Sequence, residues 1–544
     1  MRYPVIMLEK GSPVTREERR WVLWFSIGLL LITSLPYLVA YQRAGVEWRF
    51  TGFLIGVDDG NSYIAKMLRG AEGDWLFRSP YSAMPQAGFL AFLPYLLLGK
   101  LTTPPAQHEQ LVALFHLYRW AGGILLAFAV YRFSAQFFSQ VSQRRLATAL
   151  ALAGGGLGWL AFVGLGGLWG SRVPLEFYSP ESFGFLSLFS LPHLEVSRAL
   201  LLFGLAAYLQ PPTGRRGWLL PGLLWLLLGF FQPLTIVSGW AVIGFTFLVR
   251  AGAAWRAGQG WPELKSDLLR AIITGLISAP WVVYTFVAFQ SDPYLSGWAA
   301  QNKIYSPPAT DYLLAYLPML LIGVRGARYL WRVMPYKAAL LIGWLIALPL
   351  LAYFPYPLQR RLPEGIWVAL CIVGVAGFAE PGEKWKKPLL VLGGLAFLPA
   401  LFISLGGMLS AWTPSMPVFV PASQVRAFTA LRNAASQDDV VLASFAVSNR
   451  IPAWAAVRTI TGHGPESVGA SEIDPLVERF FAADTADAAR QTLLKELHPR
   501  FLVVTAEDLS AGRWNPVTAP YLEQIYADPS GACSVYRVIL EGMQ

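Results

Sequence analysis

The sequence predicts a polytopic α-helical membrane protein with a small C-terminal α/β domain. Three observations lead there. Only 14% of the 544 residues are charged and 55% are hydrophobic, whereas soluble domains carry about 25% charged residues. Apolar runs of membrane-crossing length recur along most of the chain; roughly 17–25 apolar residues can cross a bilayer as a helix. From about residue 411 these runs give way to short alternating segments with polar turns. The mean hydropathy is +0.46, and the 21 Trp, 22 Tyr and 33 Phe suit rings placed at bilayer interfaces.

Taken in order, candidate spans lie near 21–41, 111–138, 146–168, 191–209, 218–231, 234–250, 270–290, 311–324, 337–354, 364–380 and 387–410. No small-residue cleavage site follows the first, so it reads as a retained anchor rather than a signal peptide. Cytoplasmic loops collect Lys and Arg. The clusters here are Lys10/Arg16/Arg19/Arg20, Arg144/Arg145, Arg215/Arg216, Arg250/Arg256, Arg325/Arg328/Arg332/Lys337 and Lys384/Lys386/Lys387. All can be cytoplasmic if the apolar piece 85–102 lies along the outer interface instead of crossing. About eleven spans result within a transmembrane domain 1–410, with the N-terminus inside. If 85–102 crosses, the parity flips after it. Either way one span precedes a long external loop at about 42–110. In it, "GNSYIAKMLRGAEGDWLF" and "AGFLAFLPYLLLGKL" can form amphipathic helices on the membrane.

Charge divides the chain as hydropathy does. Residues 411–544 hold 10 Lys+Arg against 14 Asp+Glu, a net −4 within a formal total of +10. The basic residues of the membrane part sit in short loops, where topology explains them, so no nucleic-acid partner is expected. Cys371 and Cys533 lie in regions of different character, which argues against a disulfide framework or thiolate metal site. Neither a Walker loop nor a dinucleotide fingerprint occurs.

The tail, 411–544, reads as a soluble unit large enough for its own core, outside the membrane in the preferred topology. "VRAFTALRNAA" and "PLVERFFAADTADAARQTLLKELHP" read as helices. "DDVVLAS", "VRTITG", "RFLVVT" and "CSVYRVI" read as strands of a mainly parallel sheet. "GHGPES", 462–467, is a glycine-rich loop after a strand; His463 and Glu466 in it read as ordinary loop residues.

The outer-face residues with chemistry to offer are Asp58, Asp59, Glu176, Glu181, His193, Gln359, Arg360 and Arg361. Two adjacent acids beside lipid are either a solvated turn, since "DDGN" is turn-prone, or a proton acceptor. An outward arginine pair that breaks the charge rule is either a snorkelling anchor or a planar fork for phosphate, with Gln359 beside it. Glu181 is a substrate ligand or the cap of a helix begun by "SPES". His193 binds substrate or sits wet at the interface. Glu195 and Arg198, three apart, can pair locally.

An acidic pair in the first external loop after the first span resembles the GT-C class of integral membrane glycosyltransferases. Protein O-mannosyltransferases, the aminoarabinose transferase of lipid A and oligosaccharyltransferases share this plan. "LQRRLPEG", "SLPHLEVSRALLL" and "GHGPES" are similar to segments of bacterial GT-C-like proteins with such a tail. The resemblance implies a donor sugar on a polyprenyl phosphate, a lipid, glycan or protein acceptor, contact with membrane lipids, and inverting transfer at the outer face of the cytoplasmic membrane. It implies that Asp58 or Asp59 activates the acceptor, with Asp58 favoured as base and Asp59 positioning it or binding a metal. Some members of the class need a divalent cation and others do not. No oligosaccharyltransferase-type WWD motif occurs, which disfavours transfer of a whole oligosaccharide to asparagine. The alternatives are a catalytically silent GT-C-like scaffold in a larger membrane assembly and a transporter or flippase for a lipid-linked sugar. The latter ranks third, because no internal repeat is evident and the charges concentrate in loops.

Overall fold

The computed structural model describes residues 13–210, 214–258, 261–378, 391–510 and 514–540. Lys10, Lys384, Lys386 and Lys387 of the basic clusters lie outside these described residues. Seven helices among the described residues are long and apolar enough to cross a membrane: Arg16–Arg43, Gln107–Ser134, Pro233–Arg256, Leu264–Ser291, Ala309–Val333, Pro335–Ala352 and Val391–Trp412. The chain is a multi-pass membrane protein.

In chain order the elements begin with α1 (Arg16–Arg43), β1 (Trp48–Phe50), α2 (Val57–Ala71), α3 (Leu93–Gly99), α4 (Gln107–Ser134) and α5 (Val141–Ala153). They continue with α6 (Gly184–Ser190), α7 (Pro192–Leu209), α8 (Gly214–Leu228), α9 (Pro233–Arg256), α10 (Trp261–Ser291) and α11 (Pro293–Gln301). Then come α12 (Ala309–Val333), α13 (Pro335–Ala352), α14 (Ile366–Gly377) and α15 (Leu398–Trp412). The tail carries β2 (Phe419–Pro421), α16 (Ala422–Ala434), β3 (Val440–Leu442), α17 (Phe445–Trp454) and β4 (Arg458–Thr459). It closes with α18 (Ala470–Phe481), α19 (Asp487–Leu497), β5 (Phe501–Thr505), α20 (Ala506–Ser510), β6 (Leu522–Ala527) and β7 (Cys533–Val538).

The chain forms two compact units. The first is Met1–Ser34, Tyr118–Phe286 and Lys303–Gly406; the second is Leu35–Leu117, Val287–Asn302 and Gly407–Gln544. In the first, α12 packs on α14, α13 on α9 and α7 on α8, around fully buried Trp169, Trp225, Trp344 and Trp367. Two arginines of the basic loops are buried in ion pairs, Arg144 with Glu18 at 2.6 Å and Arg250 with Asp267 at 3.1 Å. Topology alone therefore does not account for them. The local Glu195–Arg198 pair expected from spacing is not made, because Arg198 Nε pairs with Glu364 Oε1 at 2.6 Å.

The second unit joins the segment after α1 to the tail. The expected amphipathic helix is α2, and it packs on α3 at backbone distance. A Cβ on Gly99 would stand 1.7 Å from the Met67 carbonyl oxygen, so only glycine fits. Within 85–102 the helix α3 has seven residues, about 10 Å at 1.5 Å per residue, far short of the ~30 Å hydrocarbon core. β1 pairs antiparallel with β2.

The tail sheet has the order β4-β3-β5-β7-β6. β3 is parallel to β4 and β5, while β7 is antiparallel to β5 and β6. The four expected strands are present. The sheet is not mainly parallel as expected but mixed, because β7 runs antiparallel to β5; beside β7, and antiparallel to it, lies a fifth strand, "LEQIYA". Its residues are mostly exposed or half-buried, so this edge strand lacks the apolar signal that marks the buried β5. Leu442, Phe480, Leu494, Leu502, Val504 and Tyr536 centre the tail core.

Candidate active site

Asp58 and Asp59 occupy the first turn of α2, not a loop turn. Gly56, at the N-cap, has φ 59° and makes the left-handed bend that starts the helix. Two acids are well placed there, because a helix N-terminus carries partial positive charge. Both side chains are exposed. The opposite face of α2 is buried through Val57, Asn61, Ile64, Ala65 and Leu68, so the carboxylates are turned outward from a packed helix.

The loop "GHGPES" stands beside them. The Nε2–H of His463 donates to Asp59 Oδ1 at 3.2 Å, and its ring stacks on Tyr81 with centroids 5.3 Å apart. The His463 side chain is 10% exposed, against 63% for Asp59. Asn449, on α17, donates from Nδ2 to the Asp58 backbone carbonyl at 3.4 Å and accepts from Asn61 Nδ2 at 2.8 Å. The Tyr81 hydroxyl donates to the Asn449 carbonyl at 3.0 Å. Burial raises the Tyr81 phenol well above its ordinary range, and the nearby Glu466, Asp58 and Asp59 charges push the same way.

Beneath the loop lies a buried ion pair. Lys66 Nζ is 2.7 Å from Glu466 Oε1, with side chains 1% and 4% exposed. Ser62 Oγ donates to the same oxygen at 2.9 Å, Ser79 Oγ donates to Oε2 at 3.1 Å, and Lys66 also donates to Ser62. The rings of Phe92, Phe77 and Tyr63 lie 4.4, 5.3 and 5.7 Å from the Lys66 ammonium. Burial by itself would raise the Glu466 carboxyl. The charges of Lys66 and His463, with hydrogen bonds from Lys66 and Ser62, outweigh it and hold the group below its ordinary value.

The remaining candidates belong to the first unit. Glu181 lies in the turn before α6. It does not cap that helix: the N-cap is Phe183, without a side-chain hydrogen bond. Instead Glu181 Oε1 is 3.4 Å from Arg361 Nε, and its backbone carbonyl accepts from Arg198 Nη2 at 2.8 Å and from Gly365 N at 2.9 Å. Arg360 lies over the Tyr178 ring at 4.8 Å. Gln359 Oε1 accepts from Ser306 N at 3.5 Å. Gln359, Arg360 and Arg361 form a single 3₁₀ turn, so Glu181 and the arginine pair are brought together. His193 stands in the first turn of α7, partly buried. Glu176 is buried, accepts from Gly158 N at 2.7 Å, and burial pushes its carboxyl up to about 6.

Sequence reasoning passed over Lys66, Ser62, Asn61, Tyr81 and Asn449, and read His463 and Glu466 as ordinary. One signal was available. Lys66 lies between Ile64–Ala65 and Met67–Leu68, and a lysine in such company is rarely buried without a partner. Its partner, 400 residues away, has no local signature. Among the described residues, no three His, Cys, Asp or Glu side chains cluster so as to hold a metal ion.

The class of fold is that of the GT-C glycosyltransferases, as its likeness to solved structures shows. Among solved structures, the chain is similar to the oligosaccharyltransferase AglB of Archaeoglobus fulgidus in complex with an inhibitory peptide and a dolichol-phosphate. The TM-score is 0.52 at 14% identity, over 97% of this chain and 75% of that one. It is similar to ArnT from Cupriavidus metallidurans in the apo state, with TM-score 0.50 at 12% identity over 96% and 99%. It is also similar to the arabinofuranosyltransferase AftD from Mycobacteria, with TM-score 0.55 at 14% identity over 98% of this chain but 42% of that one. No protein-family model matches the sequence, and no curated protein does.

Proposed function

We propose that the chain is a membrane glycosyltransferase that moves one sugar from a polyprenyl-phosphate carrier to a lipid, glycan or protein acceptor at the outer face of the cytoplasmic membrane. The observation that carries the proposal is the pair Asp58/Asp59, exposed in the first turn of the helix that follows the first long apolar helix of a GT-C fold. The A. fulgidus enzyme with dolichol-phosphate supports a lipid-phosphate carrier of this kind.

In the proposed reaction a carboxylate accepts the acceptor's proton as its oxygen or nitrogen attacks the anomeric carbon. The new glycosidic bond forms while the carbon–oxygen bond to phosphate breaks. The electron pair leaves on the polyprenyl phosphate. A single displacement inverts the anomeric centre. Arg360 and Arg361 receive the phosphate charge, since planar guanidinium matches phosphate oxygens. Gln359 contributes polar contacts there. Glu181 orients Arg361 until phosphate competes for it, and His193 completes the substrate-binding set. The direct test is transfer or hydrolysis of labelled polyprenyl-phosphate sugars by the purified full-length protein, wild type against Asp58→Asn. Equal rates would refute the proposal.

Two further outcomes are expected. Arg360→Ala and Arg361→Ala should each raise KM for the donor by roughly tenfold, the loss of a hydrogen bond to a charged group, more visibly at low ionic strength. An unchanged KM in both would remove the phosphate role. For topology, single cysteines at 360 and at the exposed tail position 438, in a chain without Cys371 and Cys533, should react with a membrane-impermeant maleimide in intact cells. Protection of both would place the tail and the arginines on the cytoplasmic side.

A further inference from the structure

The buried polar network under "GHGPES" is large for a surface loop. Besides Lys66, Ser62 and Ser79, it engages α11. The Tyr294 hydroxyl donates to the Glu466 carbonyl at 2.9 Å. Gln301 Nε2 donates to the Pro465 and Ser467 carbonyls at 2.9 and 2.8 Å, and its Oε1 accepts from Gly469 N at 3.2 Å. Gly462 has φ +131°, and a Cβ there would stand 2.6 Å from Asn449 N. Only glycine lets the loop approach α17 so closely. Contacts from four chain segments thus hold the loop, and what it delivers is one ring N–H at one oxygen of Asp59. The two acids are not equivalent in consequence. Asp59 is tied to His463, whereas the carboxylate of Asp58 accepts no hydrogen bond among the described residues.

We infer that His463 is a positioning residue: it fixes Asp59, so that Asp58 is the carboxylate free to take the acceptor's proton, and the C-terminal domain is thereby a working part of the site. This rests on the glycosyltransferase reading. Glu466, Lys66 and Gln301 act one step further out, by holding the loop. Locking the partners of a reacting group matters because misplacement by about 1 Å can cost on the order of 10²-fold in rate.

The experiment compares full-length wild type with Asp59→Asn, His463→Ala, His463→Gln and the His463→Ala/Asp59→Asn double variant. One readout needs no substrate: carbodiimide labelling of carboxylates, followed by peptide mass spectrometry. His463→Ala should raise labelling of Asp59 relative to Asp58 by about fivefold, the factor carried by one net hydrogen bond. His463→Gln, which keeps an N–H donor, should stay near wild type. The other readout is turnover of a labelled polyprenyl-phosphate sugar. His463→Ala and Asp59→Asn should each lower kcat by on the order of 10²-fold with KM unchanged. His463→Gln should recover most of the loss, and the double variant should be no slower than the slower single. Unchanged Asp59 labelling in His463→Ala, or multiplicative losses in the double variant, would overturn the inference. Asp58 and Asp59 variants that all transfer at full rate would instead overturn the glycosyltransferase reading, while the labelling still decides what His463 does.

Discussion

Neutralising both acids, as Asp58→Asn with Asp59→Asn, is expected to abolish sugar transfer while leaving the folded protein intact. Both side chains are exposed on a helix whose opposite face is packed, so the amide replacements bury nothing new and open no cavity. The structural losses are small. The helix N-terminus gives up two favourable charges, about 0.3–1 kcal/mol each at an exposed site, and Asp59 keeps an acceptor oxygen for His463. The chemical loss is large, because general-base catalysis contributes roughly 10²–10⁴-fold and an asparagine accepts no proton at neutral pH. Transfer from a labelled polyprenyl-phosphate sugar should fall at least 10²-fold, with thermal midpoint and binding of polyprenyl phosphate close to wild type. A double variant that transfers at the wild-type rate would refute the base assignment and leave the fold as the sole link to sugar transfer.

Glu466→Gln or Lys66→Met alone is expected to destabilise the second unit by about 3–5 kcal/mol, because each leaves a buried charge without its partner. In Glu466→Gln the ammonium of Lys66 remains among Phe92, Phe77 and Tyr63. In Lys66→Met the Glu466 carboxylate keeps only hydroxyl donors from Ser62 and Ser79. The double Lys66→Met/Glu466→Leu should recover a good part of the loss, since well-packed apolar pairs often match a buried ion pair. Thermal unfolding of the full-length protein in detergent, or protease resistance of the tail, measures this. The sign with pH follows from the lowered Glu466 group. A carboxyl whose folded-state pKa is depressed contributes stability that is fully present above its unfolded value, ~4.3, and lost as pH falls through the folded value. The wild-type midpoint should therefore be flat with respect to this group above about pH 5 and drop at lower pH, a drop the double variant lacks. If both single variants melt with wild type, the pair does not hold the loop.

The two sets of candidate residues were legible to different degrees. Asp58 and Asp59 stood out because charge beside long apolar runs is costly wherever it occurs, and position after the first span restricts their side of the membrane. Arg360 and Arg361 stood out for the same reason, and the structure adds what spacing does not show: Arg361 faces Glu181 and Arg360 covers Tyr178. The expected Glu195–Arg198 pair shows the limit of local rules. Two residues a helical turn apart can meet, but Arg198 finds a better-placed carboxylate, Glu364, 166 positions along the chain.

The amino-acid sequence by itself determined that this is a multi-pass membrane protein with an α/β tail, since apolar helices and short alternating strands are written in local hydropathy and periodicity. It also determined that two outward acids need a reason. Tertiary structure alone decided the company those acids keep. Lys66 with Glu466, Asp59 with His463 and Asn61 with Asn449 are each separated by more than 380 residues. Hydrogen bonds and ion pairs act over a few ångströms of space whatever the distance along the chain. A loop that looks ordinary as six letters thus becomes, once folded, the support on which one carboxylate is held.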